Sequence, residues 1–179
     1  MAAEGKLMNE LCETGVSGAT TVTGGKFLTF KLGAESYGIN VLAVREIISL
    51  TAITAVPQMP PDVRGVINLR GKIIPVLDLR RRFGFADATD TKQTCIIVVQ
   101  ARHAAGKAAQ QGLLVDNVEE VIQINANDVA ETPDFGGTIS ADFIVGMAKI
   151  KNTVKALLAI DRVLGATETP GASCAMATV

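Results

Sequence analysis

The sequence predicts an all-β fold made of two small β-barrels, and three observations lead to that prediction. Short apolar runs rich in Val, Ile and Leu recur along the chain, as is typical of half-buried strands. Long segments with helical periodicity are almost absent. The run Gly38–Ile48 aligns without a gap with Gly112–Ile122. This weak repeat predicts two copies of one unit, with a groove between them.

Composition divides the chain into a folded region and two flanking segments. Residues 1–25 are rich in Gly and Thr and predict a disordered leader. Residues 167–179 are rich in Ala, Thr and Gly and predict a loose tail. The folded region is therefore expected to span residues 26–166.

The predicted strands follow the apolar runs in chain order. In the first run Leu28, Phe30 and Leu32 share one face. The prolines of Val56–Asp62 exclude regular ladder pairing and predict a loop. The predicted strand segments are Phe27–Leu32, Tyr37–Ile39, Val44–Leu50, two within Arg64–Leu79, Thr94–Gln100, Gly112–Val115, Val118–Ile124, Phe143–Ile150 and Val154–Ile160.

The segment Arg64–Leu79 is the most informative stretch of the chain. Two apolar runs flank Arg70-Gly71-Lys72, and Gly71 can supply the positive φ that a hairpin turn needs. Asp78 is placed to cap a short helical turn that follows. A hairpin with a cationic tip and no nucleophile beside it favours a structural or docking role over a catalytic role.

The second half of the chain is expected to repeat this plan. Ala101–Gln111 predicts a long hairpin loop, with a helix as the alternative that Gly106 disfavours. The block that begins at Gly65 aligns with the block that begins at Gly146, and with a small gap Asp78 aligns with Asp161. Asp161–Gly165 is therefore expected to form a second capped turn.

Charge and composition narrow the class of protein. The net charge of −1 gives no electrostatic reason to expect nucleic acid or an anionic membrane as a partner. The three cysteines are scattered and odd in number, so a disulfide framework is not expected. The sequence has no secretory signal and no run of about 20 apolar residues. We therefore expect a soluble, cytoplasmic protein.

Several short blocks of the sequence form a recognisable set: Tyr37–Ile39, Val44–Ile47, Val56-Pro57, Gly65–Gly71, Pro75–Leu79, Gly112–Asp116 with Val118, and Leu158–Asp161. Together these blocks resemble the CheW-like family of chemotaxis coupling proteins. The resemblance covers nearly all of residues 26–166, and Asn68-Leu69-Arg70-Gly71 is its most specific part. It departs from the family in the Ala-rich link Ala101–Gln111 and in the small side chain of Ala159.

The resemblance implies a pair of five-stranded SH3-like barrels without enzymatic activity or cofactor. Its implied partners are the regulatory domain of the histidine kinase CheA and the cytoplasmic tips of chemoreceptors, at receptor arrays. Two alternatives stay open: a small ligand-binding or enzymatic β-barrel, and a coupler for a chemosensory pathway with a non-flagellar output. The sequence does not identify the receptors or the stoichiometry of the assembly.

Four residues are predicted to bind a partner. Val44, Glu46 and Ile48 alternate along one strand, so a single carboxylate lies within an apolar stripe. Arg70 falls on the arginine of the family motif. We expect the apolar stripe to supply affinity, while the two charges set the register of the partner.

Other polar residues are expected to be solvated. His103 is the only histidine and has no second ligand near it in sequence, so neither a catalytic site nor a metal site is predicted. Solvated charge is the preferred interpretation of Asp116, Glu119 and Glu120, and also of the basic cluster Arg80-Arg81-Arg82.

Overall fold

The computed structural model describes residues 24–86, 89–102, 108–130 and 143–165. Residues 1–23 of the expected leader, the expected tail and His103 lie outside these residues. Gly25, which was assigned to the leader, is instead the first residue of β1. Two short helices are described, α1 (Leu79–Arg82) and α2 (Ile160–Gly165). The strands are β1 (Gly25–Leu32), β2 (Glu35–Asn40), β3 (Val44–Ser49), β4 (Val63–Leu69), β5 (Lys72–Asp78), β6 (Cys95–Arg102), β7 (Ala108–Val115), β8 (Asn117–Ile124), β9 (Val129–Ala130), β10 (Ile144–Ile150) and β11 (Thr153–Leu158).

The strands form two sheets, which confirms the all-β, two-barrel prediction. The first barrel has the strand order β8-β1-β2-β11-β10-β9, and the second has the order β3-β6-β7-β5-β4. The short strand β9 gives the first sheet a sixth member beyond the five expected. Thr54 pairs with Val66 beside the second sheet. The second barrel is one continuous stretch of chain, whereas the first combines the beginning and the end of the described chain.

The internal repeat is visible in the strand pairing. Gly38 lies opposite Leu157 in the parallel pair of β2 and β11, and Gly112 lies opposite Val76 in the parallel pair of β7 and β5. The repeated halves do not coincide with the barrels, however. Because β3 pairs with β6 and β8 pairs with β1, each half of the repeat sends strands into both barrels.

The same pairing corrects the expected alignment of the two helical turns. Gly65 and Gly146 both sit at register shifts, and from there the two hairpins match without a gap. The equivalent of Asp78 is therefore Ala159, not Asp161. Asp78 does cap α1, since its Oδ1 accepts a hydrogen bond from the Arg80 amide at 3.0 Å, whereas Asp161 lies inside the first turn of α2.

Three clusters of buried apolar side chains stabilise the two barrels. Each barrel has a small interior cluster, and a larger cluster lies between the two sheets. The interior of the first barrel contains Phe27, Ile124, Ala148 and Leu157; that of the second contains Ile67, Ile74, Val76, Ile96, Val98 and Leu114; the shared core contains Leu28, Phe30, Leu32, Tyr37, Ile39, Leu77, Leu79, Phe83, Ile97, Val99, Leu113, Val115, Ile144, Ala156, Leu158, Ile160, Val163 and Leu164. The barrels are therefore parts of one packed unit.

The shared core explains why β1 is buried on both of its faces. Leu28, Phe30 and Leu32 point to the shared core as one face, as predicted, while Phe27 packs in the interior of the first barrel. Thr29 is also buried, and its hydroxyl donates to the backbone oxygen of Glu120 at 2.9 Å. That hydrogen bond satisfies a polar group that would otherwise be costly to bury.

The expected loop Ala101–Gln111 is shorter than predicted. Strand β6 continues to Arg102, β7 begins at Ala108, and Arg102 and Ala108 are paired. Backbone pairing thus overrides the polar, Ala-rich composition on which the loop prediction rested. Among the described residues, no helix has the length and apolar character needed to cross a membrane.

Candidate protein-interaction site

The predicted site begins at the turn between β4 and β5. Arg70 and Gly71 both have positive φ, 54° and 84°, as in the two-residue turns that suit the twist of a hairpin. The Asn68 side-chain oxygen accepts a hydrogen bond from the Gly71 amide at 3.0 Å. The prediction for Gly71 is confirmed, and the turn holds Arg70 at the tip of the hairpin.

Arg70 and Glu46 are brought together although they lie on different elements. Two guanidinium nitrogens of Arg70 donate to the two carboxylate oxygens of Glu46, at 3.1 and 2.9 Å. The Arg70 side chain remains 77% exposed and that of Glu46 is 26% exposed. Such bidentate pairs fix the orientation of both groups. Because a guanidinium has five N–H donors, Arg70 retains donors that can meet a partner.

Val44 and Ile48 share the half-buried face of β3 with Glu46. Val44 packs against the shared core, and Ile48 packs against the interior of the second barrel. Their side chains therefore support the strand that carries Glu46. The opposite face of β3 presents Ile47, whose side chain is 45% exposed.

Sequence reasoning did not single out the two most exposed large apolar side chains among the described residues. Leu42 is 91% exposed on the short turn between β2 and β3, which Asn40 caps through its side-chain oxygen. Ile73 is 64% exposed on β5. Strand alternation could have predicted the exposure of Ile47 and Ile73, because each lies next to a more buried position on its strand.

A surface groove of about 760 Å³ adjoins the exposed end of β5. Its lining includes the cationic residues Arg45 and Lys72, the apolar residues Ile73 and Pro75, and Gln100 from β6. A second groove, of about 830 Å³, lies between α1 and Phe143 and thus between the two barrels. Both surfaces combine apolar contact area with nearby positive charge.

The basic cluster of α1 is not a solvated surface, which corrects the expectation from sequence. Arg80 is 3% exposed and forms ion pairs with Asp78, Asp90 and Asp116 at 3.3, 3.1 and 3.1 Å. Arg82 pairs with Asp62. Arg81 is the most exposed of the three and contacts the Pro61 carbonyl at 3.3 Å. Buried charges of this kind require partners, and the aspartates supply them.

The charges in this cluster shift the pKa values of Arg80 and Asp90. Burial alone would lower the pKa of Arg80, but hydrogen bonding and charge from Asp78, with Asp90 and Asp116, raise it above the ordinary value. Hydrogen bonds from Arg64, supported by Arg80, lower the pKa of Asp90. Arg80 and Asp90 are therefore held in their charged forms at neutral pH.

The remaining candidates also occupy defined positions. Asp116 is not simply solvated, because it pairs with Arg80, and Glu119 pairs with Lys155 at 3.1 Å. Glu120 is exposed, as expected.

Burial raises the pKa of the Cys95 thiol. Within the residues that the structure describes, no group of three or more His, Cys, Asp and Glu side chains could hold a metal ion.

Comparison with known proteins identifies the family. Residues 26–168 match the model of the CheW-like domain. The chain is 34% identical over 145 residues to the chemotaxis protein CheW of Rhizobium meliloti, covering 81% of this chain and 90% of that relative. It is 31% identical over 150 residues to the chemotaxis protein CheW of Klebsiella aerogenes, covering 84% of this chain and 87% of the relative.

A solved structure shows the same architecture. The crystal structure of the scaffolding protein TtCheW from Thermoanaerobacter tengcongensis superposes with a TM-score of 0.70 at 35% identity, covering 79% of this chain and 88% of that one. The family model spans both barrels, the Asn68–Gly71 turn and the Glu46–Arg70 pair. The chain therefore belongs to the CheW family of chemotaxis adaptor proteins.

Proposed function

We propose that this chain couples chemoreceptors to the histidine kinase CheA as an adaptor without catalytic activity of its own. The observation that supports this most directly is the match to the CheW-like domain across both barrels. The relatives named as chemotaxis proteins and as a scaffolding protein point to the same role. The adaptor acts by holding two proteins at once.

The surface chemistry suits docking. The second barrel presents the Glu46–Arg70 pair at its surface, and Ile47 and Ile73 are exposed apolar side chains of the same barrel. Interfaces commonly combine apolar contact area with an arginine that gives orientation. An apolar face of a receptor helix or of a related barrel domain can cover these side chains, while the charge pair fixes its register.

The carboxylates that could be imagined as acid–base groups are engaged in structure. Asp78, Asp90 and Asp116 all converge on Arg80, and Arg64 makes two further contacts with Asp90. A carboxylate whose oxygens already contact guanidinium groups is not placed to take a proton from a substrate. These residues therefore support the adaptor interpretation over the enzymatic one.

The proposed site of action is the cytoplasmic tip of the receptors, to which the chain is recruited. The test is co-sedimentation with receptor-bearing membranes, with and without the kinase. We expect the chain to sediment with receptors and to increase the amount of kinase that sediments. Kinase recovery that is the same with and without the chain would contradict the proposal.

A matched pair of variants sharpens this test. Glu46→Lys reverses one charge of the pair, whereas Lys151→Ala removes an exposed cation from the equivalent hairpin turn of the first barrel. We expect Glu46→Lys to reduce kinase recovery and Lys151→Ala to leave it near the wild-type level. Equal effects of both variants would show that the pair has no special part in docking.

A further inference from the structure

Arg80 links elements from different parts of the chain. It lies in α1, directly after the hairpin that carries Arg70. Two of its aspartate partners belong to the same barrel, Asp78 at the end of β5 and Asp90 before β6. The third, Asp116, lies between β7 and β8, where the chain passes from the second barrel to the first.

Asp116 is held from both barrels. One carboxylate oxygen lies 3.1 Å from the Arg80 guanidinium, and the other accepts a hydrogen bond from the Gly33 amide at 2.7 Å. Gly33 is in the turn between β1 and β2 of the first barrel. The Asp116 amide also donates to the Lys31 carbonyl at 3.1 Å. One side chain thus joins α1 of the second barrel to a turn of the first.

Arg82 adds a second connection from the same helix. Its guanidinium donates to the Val163 carbonyl of α2 at 3.1 Å and lies 5.4 Å from the centre of the Phe143 ring. Both residues flank the carboxyl-terminal hairpin of the first barrel. Helix α1 is therefore attached to the first barrel through polar groups at two places.

The internal repeat shows that the Arg80–Asp116 contact is not a general requirement of the fold. In the other half of the repeat, Leu42 occupies the position equivalent to Asp116, and Asp161 occupies the position equivalent to Arg80. Leu42 is 91% exposed and Asp161 is exposed. Leu42 and Asp161 cannot form an ion pair with each other, so the Arg80–Asp116 contact is particular to one half of the repeat.

The ion pair adds a directional contact to the apolar packing between the barrels. The shared core is large, and the apolar attraction that it supplies is non-directional and depends mainly on area. A guanidinium surrounded by three carboxylates cannot move without lengthening at least one contact. In some proteins a buried ionic group specifies a geometry although it adds little stability.

We propose that the Arg80–Asp116 ion pair is a positioning contact that fixes the orientation of the two barrels and so the relative placement of their partner surfaces. This inference rests on the proposed adaptor function for its second half only. An adaptor that holds two proteins at once depends on the angle between its binding surfaces, whereas binding of one protein to one barrel does not.

Residual dipolar couplings of backbone amides test the geometric half. In the wild type we expect one alignment tensor to fit the amides of both sheets. Asp116→Asn keeps an acceptor for the Gly33 amide but removes the charge that faces Arg80. We expect the couplings of Asp116→Asn to require separate alignment tensors for the two barrels, with the degree of alignment of one barrel lower by about a fifth or more.

Asp90→Asn is the matched control, because it also removes one carboxylate from Arg80 but lies within the second barrel. We expect it to keep a single tensor even if it lowers stability. Arg80→Lys is the second variant, in case Asp116→Asn does not fold, because one ammonium cannot hold three carboxylates in a fixed fork. A single tensor in folded Asp116→Asn or Arg80→Lys would overturn the proposal.

Binding measurements test the functional half. We expect Asp116→Asn to bind the isolated kinase regulatory domain within twofold of the wild type, yet to lose fivefold or more in recovery of kinase on receptor membranes. Unchanged recovery in a variant with two tensors would overturn the link to function. If the wild type itself does not bridge kinase and receptor, the adaptor proposal fails, while the dipolar couplings still decide the geometric half.

Discussion

Glu46 and Arg70 lie 24 positions apart in sequence but form one bidentate ion pair, with nitrogen–oxygen distances of 2.9 and 3.1 Å. The sequence predicted both as separate partner-binding charges. The structure makes them a single unit, in which Glu46 orients the guanidinium of Arg70 at the tip of its hairpin. Their contributions to binding are therefore coupled, and this coupling is measurable.

The first prediction concerns that pair. Arg70→Ala and Glu46→Ala should each weaken binding to the kinase regulatory domain about tenfold, as truncation of an interface arginine often does. The double variant should be no weaker than either single variant, because all three lose the same unit. The free energy of unfolding should change by about 1 kcal/mol or less, since the pair is exposed. Titrations and denaturant melts measure the two quantities.

Lys151→Ala, at the equivalent turn of the first barrel, is the control for these variants and should bind normally. Normal binding by both single variants at unchanged stability would show that the predicted site is wrong. Additive losses in the double variant would show instead that each charge meets the partner by itself.

The second prediction concerns Gly65, where β4 approaches the preceding segment. Its φ is +149°, and a Cβ at this position would lie 2.2 Å from the backbone oxygen of Thr54. Gly65→Ala should therefore lower the free energy of unfolding by about 3 kcal/mol or more, because backbone must move. Gly25→Ala is the control, since a Cβ there would have no neighbouring atom within 4 Å, and it should change stability by about 0.5 kcal/mol or less. Equal effects in urea denaturation would refute the steric explanation.

The third prediction is that the two barrels unfold together. Tyr37, the only tyrosine in a chain without tryptophan, is buried in the shared core beside Phe83, with ring centres 5.6 Å apart. Its fluorescence should report loss of the interface between the sheets, while far-UV circular dichroism reports loss of strands. Because the core is shared, both signals should change at the same denaturant concentration.

Phe83→Ala extends this test. Removing a buried aromatic ring should cost about 3–5 kcal/mol and should move both transitions by the same amount. Two separated transitions, in the wild type or in the variant, would show that the barrels are independent folding units.

The fourth prediction concerns Asp90 and acid stability. Hydrogen bonds from Arg64 and Arg80 lower the pKa of Asp90 in the folded protein. The carboxylate therefore contributes stability above its unfolded-state pKa of about 4, and this contribution is lost as the pH falls through the lower folded-state value. Asp90→Asn should be destabilised at pH 7 by about 1–2 kcal/mol.

The measurement is the difference in unfolding free energy between the wild type and Asp90→Asn from pH 6 down to pH 2. That difference should be constant above about pH 5 and should shrink below about pH 4. A difference that stays constant or grows in acid would contradict the assigned role of Asp90.

The sequence by itself determined the strands, the tight turn at Arg70-Gly71, the cap at Asp78 and the family. These features are local: alternation of apolar residues, a glycine with positive φ and a capping carboxylate act over a few residues. The repeat could also be recognised in the sequence, because both copies need a glycine at the same position. A Cβ would contact Leu157 if placed at Gly38 and Ile96 if placed at Gly112.

Only the tertiary structure decided which long-range partners these elements meet. Alternation placed Val44 and Ile48 on one face but did not show that this face packs onto the apolar cores. From the run of three arginines in α1 we predicted a solvated surface. In the fold, Asp90 and Asp116 instead form ion pairs with Arg80. The physical reason is that the burial of a side chain, and the partner of a charge, depend on which strands pair across the chain, and no local pattern encodes that pairing.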